Sequence, residues 1–474
     1  MILGTSSGSG KSLLTAAICG FLKRLGECVV PFKGQNMSNN AWIDKNGGEM
    51  AYSQVFQAWA AGIDPICLMN PILMKPQGDC ISEIVHLGKS VGVVKAQNYY
   101  EEYFSSGWDA ITNGLQEIKK LYPQGRIILE GAGSPVEVNL QHKDLTNLRL
   151  AKYIKANCIL VADIERGGVF AQLIGTIELL KPSERNLIKG IIINKFRGDL
   201  SLFESGRKWI EEKTNIPVLG VMPWLPELFP AEDSLDLVAR EKIRKNDPEI
   251  EIAVLKLNHL SNYSDLEPLE NEENINLTWI KPGEVIGTPD ALIIPGSKQT
   301  LKDLEIIKSS GTAKKIDDYA NKGGYILGIC GGMQIMGKFL EDPLGLENNE
   351  MKKNKEIKYK GLGLLPIKTI FDKEKLSKQR EVKAIWPART KVTGFELHRG
   401  ISKLISSDDN VGSIFVDNSL GWIVNNKTSG IISGTYLHGI FENGEWRTLW
   451  INELRKRKQL NPINLKKINY HSER

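Results

Sequence analysis

Gly4-Thr5-Ser6-Ser7-Gly8-Ser9-Gly10-Lys11-Ser12 stands between a short apolar run at 1–3 and an apolar helical stretch that begins at Leu13. Glycines let backbone N–H groups converge on phosphate oxygens, and the N-terminus of the helix that follows adds a favourable dipole. Lys11 can reach terminal phosphates, and the Ser12 hydroxyl can ligate magnesium. Gly8, Gly10, Lys11 and Ser12 are therefore the first candidate nucleotide-binding residues. An incidental glycine-rich turn would account for the glycines, but not for Gly-Lys-Ser running straight into an apolar helix. Only three residues precede Gly4, whereas strands have a mode of about 5–6 residues. The natural chain is therefore expected to begin upstream of Met1.

Outward from this loop, short β-branched runs alternate with amphipathic stretches. Residues 28–32, 126–130, 158–163 and 190–194 read as buried strands, and 13–25, 49–61 and 109–121 as helices. That alternation implies a doubly wound, mostly parallel α/β sheet. It ends where prolines crowd near 220–230, and a charged, weakly apolar stretch follows. A second α/β pattern opens with strands at 252–257, 291–295 and 325–330. The expected organisation is a nucleotide domain at 1–231, a linker at 232–250, a second α/β domain at 251–446 and a helical, basic tail at 447–474. The lysine-rich stretch 347–360 reads as an exposed excursion, and the basic run 455–467 as a solvated helix end.

Composition is consistent with this. A chain of 474 residues is too long for one ordinary core. With 41% hydrophobic and 25% charged residues it is globular rather than disordered. A net charge of +5 is too small for its length to argue for nucleic acid. The cysteines Cys19, Cys28, Cys67, Cys80, Cys158 and Cys330 form no CxxC pair and match no metal-site spacing, which fits a reducing compartment. No apolar run reaches the roughly 18 residues of a membrane span. Glycines and serines from Gly4 onward exclude a signal-peptide core. A cytoplasmic enzyme is the expectation.

Further residues gather at the nucleotide loop. Lys33 follows the second strand, at a carboxyl end that faces ligand in an open α/β sheet. Glu130 ends a strand and precedes Gly131-Ala132-Gly133; a carboxylate there can hold magnesium directly or through water, or cap a helix. Asn194 and Lys195 end a later strand, placed to meet an adenine. The five-residue gap between Gly4 and Gly10 is one longer than usual. It resembles the dethiobiotin synthetase branch of P-loop proteins, whose members activate carboxylates with ATP.

Longer runs make the resemblance specific. The runs 31–40 (PFKGQNMSNN), 69–76 (MNPILMKP), 130–135 (EGAGSP), 161–170 (VADIERGGVF) and 194–199 (NKFRGD) resemble the signature of the cobyric acid synthase family. They cover nearly the whole first half. The relative that amidates the a and c carboxylates of cobyrinic acid shares the phosphate loop, but its family pattern lacks the 33–40 run. The amides of Gln35, Asn36 and Asn39 make a chemically sensible substrate surface, because neutral amides read both the carboxylate and the amide arms of a corrin. An Asn-rich structural turn is the alternative.

In the second half, Gly328-Ile329-Cys330-Gly331-Gly332 follows a strand and opens a helix. This is a nucleophile elbow with cysteine in the serine place. The helix N-terminus favours a reactive thiolate, and the backbone N–H of Gly331 is a candidate oxyanion donor. The other five cysteines read as ordinary core or surface residues. His438, after the apolar run 431–437, is the candidate base and His398 its competitor. His86, His142, His259 and His471 lie outside any such frame. Gly296, in Pro295-Gly296-Ser297-Lys298, is a second candidate oxyanion donor. Cys330 and His438 match the family's catalytic pair. Class I glutamine amidotransferases usually carry a glutamate two residues after the histidine, where this chain has Ile440. The chain thus resembles the branch that works with a cysteine–histidine pair; Glu442 is the nearby acid.

The resemblance implies one reaction cycle. Cys330 and His438 release ammonia from L-glutamine, while ATP with Mg2+ activates a carboxylate of a corrinoid polycarboxylate at Lys11, Ser12 and Glu130. It implies four amidations, at b, d, e and g of adenosylcobyrinic acid a,c-diamide. Two alternatives stay open. One is the same chemistry on another carboxylate, that of the a,c-amidating relative or of a cell-wall precursor. The other is a binding protein with an inert glutaminase-like domain, against which intact Lys11, Cys330 and His438 weigh.

Overall fold

The computed structural model describes residues 1–78, 80–225, 248–347, 357–405, 410–425 and 430–473. The chain divides into two compact units. One holds Met1–Ser38 and Gly48–Pro230, the other Asn39–Gly47 and Ala231–Arg474. Most of the expected linker, 232–247, lies outside the described residues.

In the first unit the strand Ile2–Gly4 pairs in parallel with Cys158–Asp163, and the ladder continues through Ile188–Phe196 to Val218–Pro223. On its other side a parallel bridge from Ile2 to Glu130 leads to the parallel pair Arg126–Leu129 and Val29–Phe32. Val29–Phe32, at the end of this ladder, is buried along its whole length, which is why it reads as a continuous apolar run. The helix Lys11–Arg24 follows the phosphate loop. A long helix, Tyr99–Leu121, buries Ala110, Ile111, Gly114, Leu115 and Ile118 at helical spacing, with Glu101 and Glu102 in its first turn and Lys119 and Lys120 in its last.

Two expected helices in this unit change. The helix expected from 109 begins at Tyr99, ten residues earlier, where the aromatic cluster Tyr99, Tyr100 and Tyr103 hides the apolar stripe. The helix expected from 49 begins at Tyr52. Glu49–Ala51 is instead a short strand, tied down by the Ala51 N–H on Asn70 Oδ1 and the buried Lys75–Glu49 ion pair. Gln35–Met37, in the segment expected to form a substrate surface, is a strand paired in parallel with Ile72–Met74.

The second unit is built on a seven-stranded sheet. Its order is Ile275–Ile280, Ile250–Leu255, Ala291–Ile294, Tyr325–Ile329, Ile431–Thr435, Gly421–Asn425, Val411–Ser413. The first five run parallel and the last two antiparallel. A long antiparallel hairpin, Leu365–Ala384 with Thr390–Leu404, packs against it. Within the expected excursion, 348–356 lie outside the described residues, and Lys358–Lys360 pairs as a strand with Phe339–Glu341. The basic run is not simply solvated. Arg455 is buried with its guanidinium 2.6 Å from Glu249, and Lys466 lies 2.8 Å from Glu272. Among the described residues no helix is long and apolar enough to cross a membrane.

Candidate active sites

The phosphate loop turns through left-handed backbone at Gly8 and Gly10, φ 71° and 94°. A side chain on Gly10 would also collide with the Asn194 amide, 2.0 Å from where its Cβ would sit. Asn194 donates to the Ser9 carbonyl at 2.9 Å, so in this arrangement it braces the loop that the sequence expectation had it meet through an adenine. Lys11 Nζ donates to the carbonyls of Ser6 (2.9 Å) and Gly133 (3.1 Å), bridging the loop to the Gly131–Gly133 turn.

Glu130 is the hub of this site. Its Oε1 accepts from Ser12 Oγ and from Lys33 Nζ, both at 2.7 Å, and its Oε2 from Gln57 at 2.6 Å and Gln54 at 3.4 Å. Burial alone would push the Glu130 carboxyl up. The Lys33 cation and the hydrogen bonds from Lys33, Gln57 and Ser12 outweigh it and hold the group below the ordinary carboxylate range. Ser12 and Glu130 are hard oxygen donors of the kind magnesium takes. With four donors on its two oxygens, Glu130 is saturated in this arrangement.

The segment expected to bind substrate is split. Gln35 accepts from Tyr99 Oη at 2.9 Å and lines a cavity of about 210 Å3 together with Tyr100, Gly133, Ser134, Lys143 and Asn147. Asn36 is buried and donates to Ser53 and Gln54, both at 2.9 Å, one step behind Glu130. Asn39 falls in the other compact unit, where its carbonyl accepts from the Asn262 N–H at 3.1 Å. Two signature runs pair with each other: Lys195 with Asp163 at 2.8 Å, and Arg197 with Glu165 at 2.7 Å.

In the second unit Cys330 carries φ 50° and ψ −109°, a strained elbow between the strand Tyr325–Ile329 and the helix Gly331–Met336. The two glycines that follow allow close packing. A Cβ on Gly331 would lie 2.8 Å from the Ser297 nitrogen, and one on Gly332 1.9 Å from the Ile294 carbonyl. Cys330 Sγ sits 3.7 Å from the Leu397 carbonyl. Gly296 pairs with Ser261 and lies against the His438 ring, whose Cε1 is 3.5 Å from where a Gly296 Cβ would be.

His438 is buried, and its Nδ1 meets Asp265 Oδ2 at 2.7 Å. The other oxygen of Asp265 accepts from the Gly439 N–H at 2.7 Å. Burial pulls the imidazole down, but the charges of Asp265 and Cys330 and their hydrogen bonds outweigh it and push His438 up to about 10. Phe395 lies flat on the ring, centroids 5.2 Å apart.

The comparisons with known proteins bear on both units. The family described as a CobQ/CobB/MinD/ParA nucleotide binding domain matches residues 1–238, and a CobB/CobQ-like glutamine amidotransferase domain matches 251–446. A protein of Prochlorococcus marinus strain SARG named cobyric acid synthase is 60% identical over all of this chain and 93% of its own length. The chain belongs to the cobyric acid synthase family. Relatives of the same name from Prochlorococcus marinus strain NATL1A and from Parasynechococcus marenigrum are 58% and 56% identical, over 100% and 98% of this chain and 96% and 92% of their own lengths.

Asp265, the carboxylate on His438 Nδ1, is not among the candidates read from the sequence of this cobyric acid synthase family chain. It lies far from the histidine in sequence, in a buried polar turn, Asn262–Asp265, whose only signal is polarity soon after a strand's carboxyl end. The weighed acid, Glu442, lies 3.7 Å from His471 instead. His398 is committed elsewhere: its ring stacks on Tyr436 at 3.7 Å, and its nitrogens meet the Gly400 carbonyl (2.9 Å) and Glu396 (3.2 Å). The expectation of a cysteine–histidine pair without a third residue is corrected by the carboxylate on Nδ1.

Proposed function

We propose that this chain uses ATP and glutamine to amidate the b, d, e and g carboxylates of adenosylcobyrinic acid a,c-diamide, giving adenosylcobyric acid in the cytoplasm. The observation that carries the reading is a buried Cys330–His438–Asp265 constellation in the same chain as a phosphate loop whose lysine reaches the Gly133 turn.

In the glutaminase half-reaction, the Cys330 thiolate attacks the side-chain carbonyl carbon of glutamine. Gly296 and Gly331 line the position where negative charge develops on oxygen. His438 gives its proton to the departing nitrogen, the C–N bond breaks, and ammonia leaves a thioester. Water, losing a proton to His438, then cleaves the thioester to glutamate. Asp265 fixes the tautomer, so that the ring nitrogen away from it faces the sulfur.

In the other half-reaction a substrate carboxylate oxygen takes the terminal phosphoryl group of ATP, releasing ADP. Ammonia then attacks the acyl carbon, and inorganic phosphate leaves. Gly8, Gly10, Lys11 and Ser12 cradle the phosphates, and Lys33 keeps Glu130 ionised. Magnesium at Ser12 and Glu130 would neutralise phosphate charge. The open cavity beside Gln35, lined also by Lys143 and Asn147, would take a carboxylate or amide arm of the corrin. Mass spectrometry of the products formed from the corrin a,c-diamide with ATP, magnesium and glutamine tests the reading. Four successive conversions of acid to amide are expected; no amidation, or amidation only of cobyrinic acid at a and c, would overturn it.

A further inference from the structure

The segment Asn39–Gly47 comes from the first half of the sequence but belongs to the second compact unit. Four hydrogen bonds fasten it to the turn that carries Asp265. Asn262 captures the carbonyls on both sides of Asn40, its N–H donating to Asn39 at 3.1 Å and its side-chain amide to Ala41 at 3.0 Å. Ser264 captures the Asn40 side chain, with Oγ at 2.6 Å and N–H at 3.3 Å from Oδ1. Asn40, Asn262, Ser264 and Asp265 are all buried, so none of these groups has bulk water as a substitute partner. The turn itself is a four-residue 3-10 segment, Tyr263–Leu266, entered through left-handed backbone at Asn262, φ 52°. A single turn of this kind has little stability of its own.

A second contact reaches the same histidine from another side. The Trp42 ring sits edge-on to Phe395 with centroids 4.8 Å apart, and Phe395 is the ring stacked on His438. Trp42 also abuts Gly439, whose Cβ would lie 3.8 Å from it. Further along, Gln379 and Ser377 hold the carbonyls of Ile43 (2.8 Å) and Gly47 (2.7 Å). One segment thus backs both the acid behind Nδ1 and the aromatic plate on the imidazole face.

We propose that Asn40 and Trp42 are positioning residues of the glutaminase: they hold the Asp265 turn and the Phe395 ring so that His438 stays aimed at Cys330. The first half of the sequence then supplies part of the wall of the glutamine site. The proposal rests on the Cys330–His438–Asp265 reading given above.

The test uses full-length protein and three measurements. These are kcat and KM for glutamate release, the pH profile of inactivation by 6-diazo-5-oxo-L-norleucine with labelling read at Cys330 by peptide mass spectrometry, and amidation driven by free ammonium. Trp42→Ala and Asn40→Ala should each lower kcat and the inactivation rate by roughly 10- to 100-fold, the scale expected for a small misplacement of a catalytic group. The upper limb of the pH profile should move to lower pH as Asp265 loosens. Glutamine KM should change by less than about threefold and ammonium-driven amidation by less than about twofold, since only the covalent step is disturbed. Trp42→Phe keeps a ring on Phe395 and should restore most of the rate. The proposal is overturned if both alanine variants label and turn over within about twofold of the parent, or if ammonium-driven amidation falls as far as the glutamine-driven rate. His438→Ala in parallel separates the two failures. If it labels as fast as the parent, the underlying triad reading falls and the proposal with it. If it is slow while Trp42→Ala and Asn40→Ala are normal, only the positioning proposal falls.

Discussion

Asp265→Asn keeps the shape of the buried turn but removes the charge behind His438. The size of the effect can be worked from the site. Lifting an imidazole from its ordinary range to about 10 against burial corresponds to about 5 kcal/mol of preference for the charged ring. Asp265 leads the raising causes and Cys330 follows. A loss of about 100-fold in glutamine-driven kcat is expected, the low end of what a positioned acid–base group contributes. The same change in a serine-protease triad costs about 10^4-fold, which sets the upper bound. The sign on pH follows. A raised histidine keeps its proton until pH climbs through about 10, so the imidazolium held by Asp265 is present below that point and lost above it. Without Asp265 burial has less opposing it, and the upper limb must move down. Glutamate release measured across pH, with ammonium-driven amidation as the control, reads both effects. A kcat within about twofold of the parent and an unmoved upper limb would show that Asp265 is only a structural acid.

Cys330→Ala should abolish glutamine-driven amidation, by several orders of magnitude, while free ammonium at high concentration is still used; loss of both in a protein with normal circular dichroism refutes the separation of the two chemistries. Lys11→Ala should remove amidation with either nitrogen source, and a normal rate with ammonium would refute its role at the phosphates. Glu130→Gln breaks the buried 2.7 Å Lys33–Glu130 ion pair, and breaking such a pair costs about 3–5 kcal/mol, which thermal melts at neutral pH should show. Because the Glu130 carboxyl is held low, its stabilisation is present above the ordinary carboxylate pKa of about 4.3 and fades as pH falls through the lower folded value; the variant should lack this acid dependence, and equal melting curves for the two proteins would refute it.

Local chemistry made much of this legible. Gly10 and Gly332 are glycine because a Cβ would strike Asn194 or the Ile294 carbonyl, and such constraints leave runs that can be read without coordinates. Cys330 and Lys11 are found through them. Glu442 misled for the opposite reason: it is near His438 along the chain, but the single turn Ile440–Glu442 carries it toward His471. The chain also passes from one compact unit to the other between Ser38 and Asn39, a division that the run 35–40 does not announce. Asp265 left no periodicity or motif to find. Its place is fixed by which strands are neighbours, and strand order is a property of the folded sheet.

That order explains why the acid can come from so far away. The parallel strands Ile250–Leu255, Ala291–Ile294, Tyr325–Ile329 and Ile431–Thr435 lie side by side in the sheet. The chain beyond their carboxyl ends carries Asp265, Gly296, Cys330 and His438 in turn, at the edge where open α/β sheets bind ligands. The register locks the sulfur and the base together: Gly328 is opposite Gly434, Ile329 opposite Thr435, and the Cys330 N–H reaches the Thr435 carbonyl at 2.7 Å. A slip of one residue would turn every side chain to the other face, so the ladder sets the catalytic distance. What the histidine needs is a carboxylate on Nδ1, whatever segment delivers it. With Ile440 where a glutamate is usual in class I glutamine amidotransferases, the turn after the strand Ile250–Leu255 delivers one from the far side of the same edge.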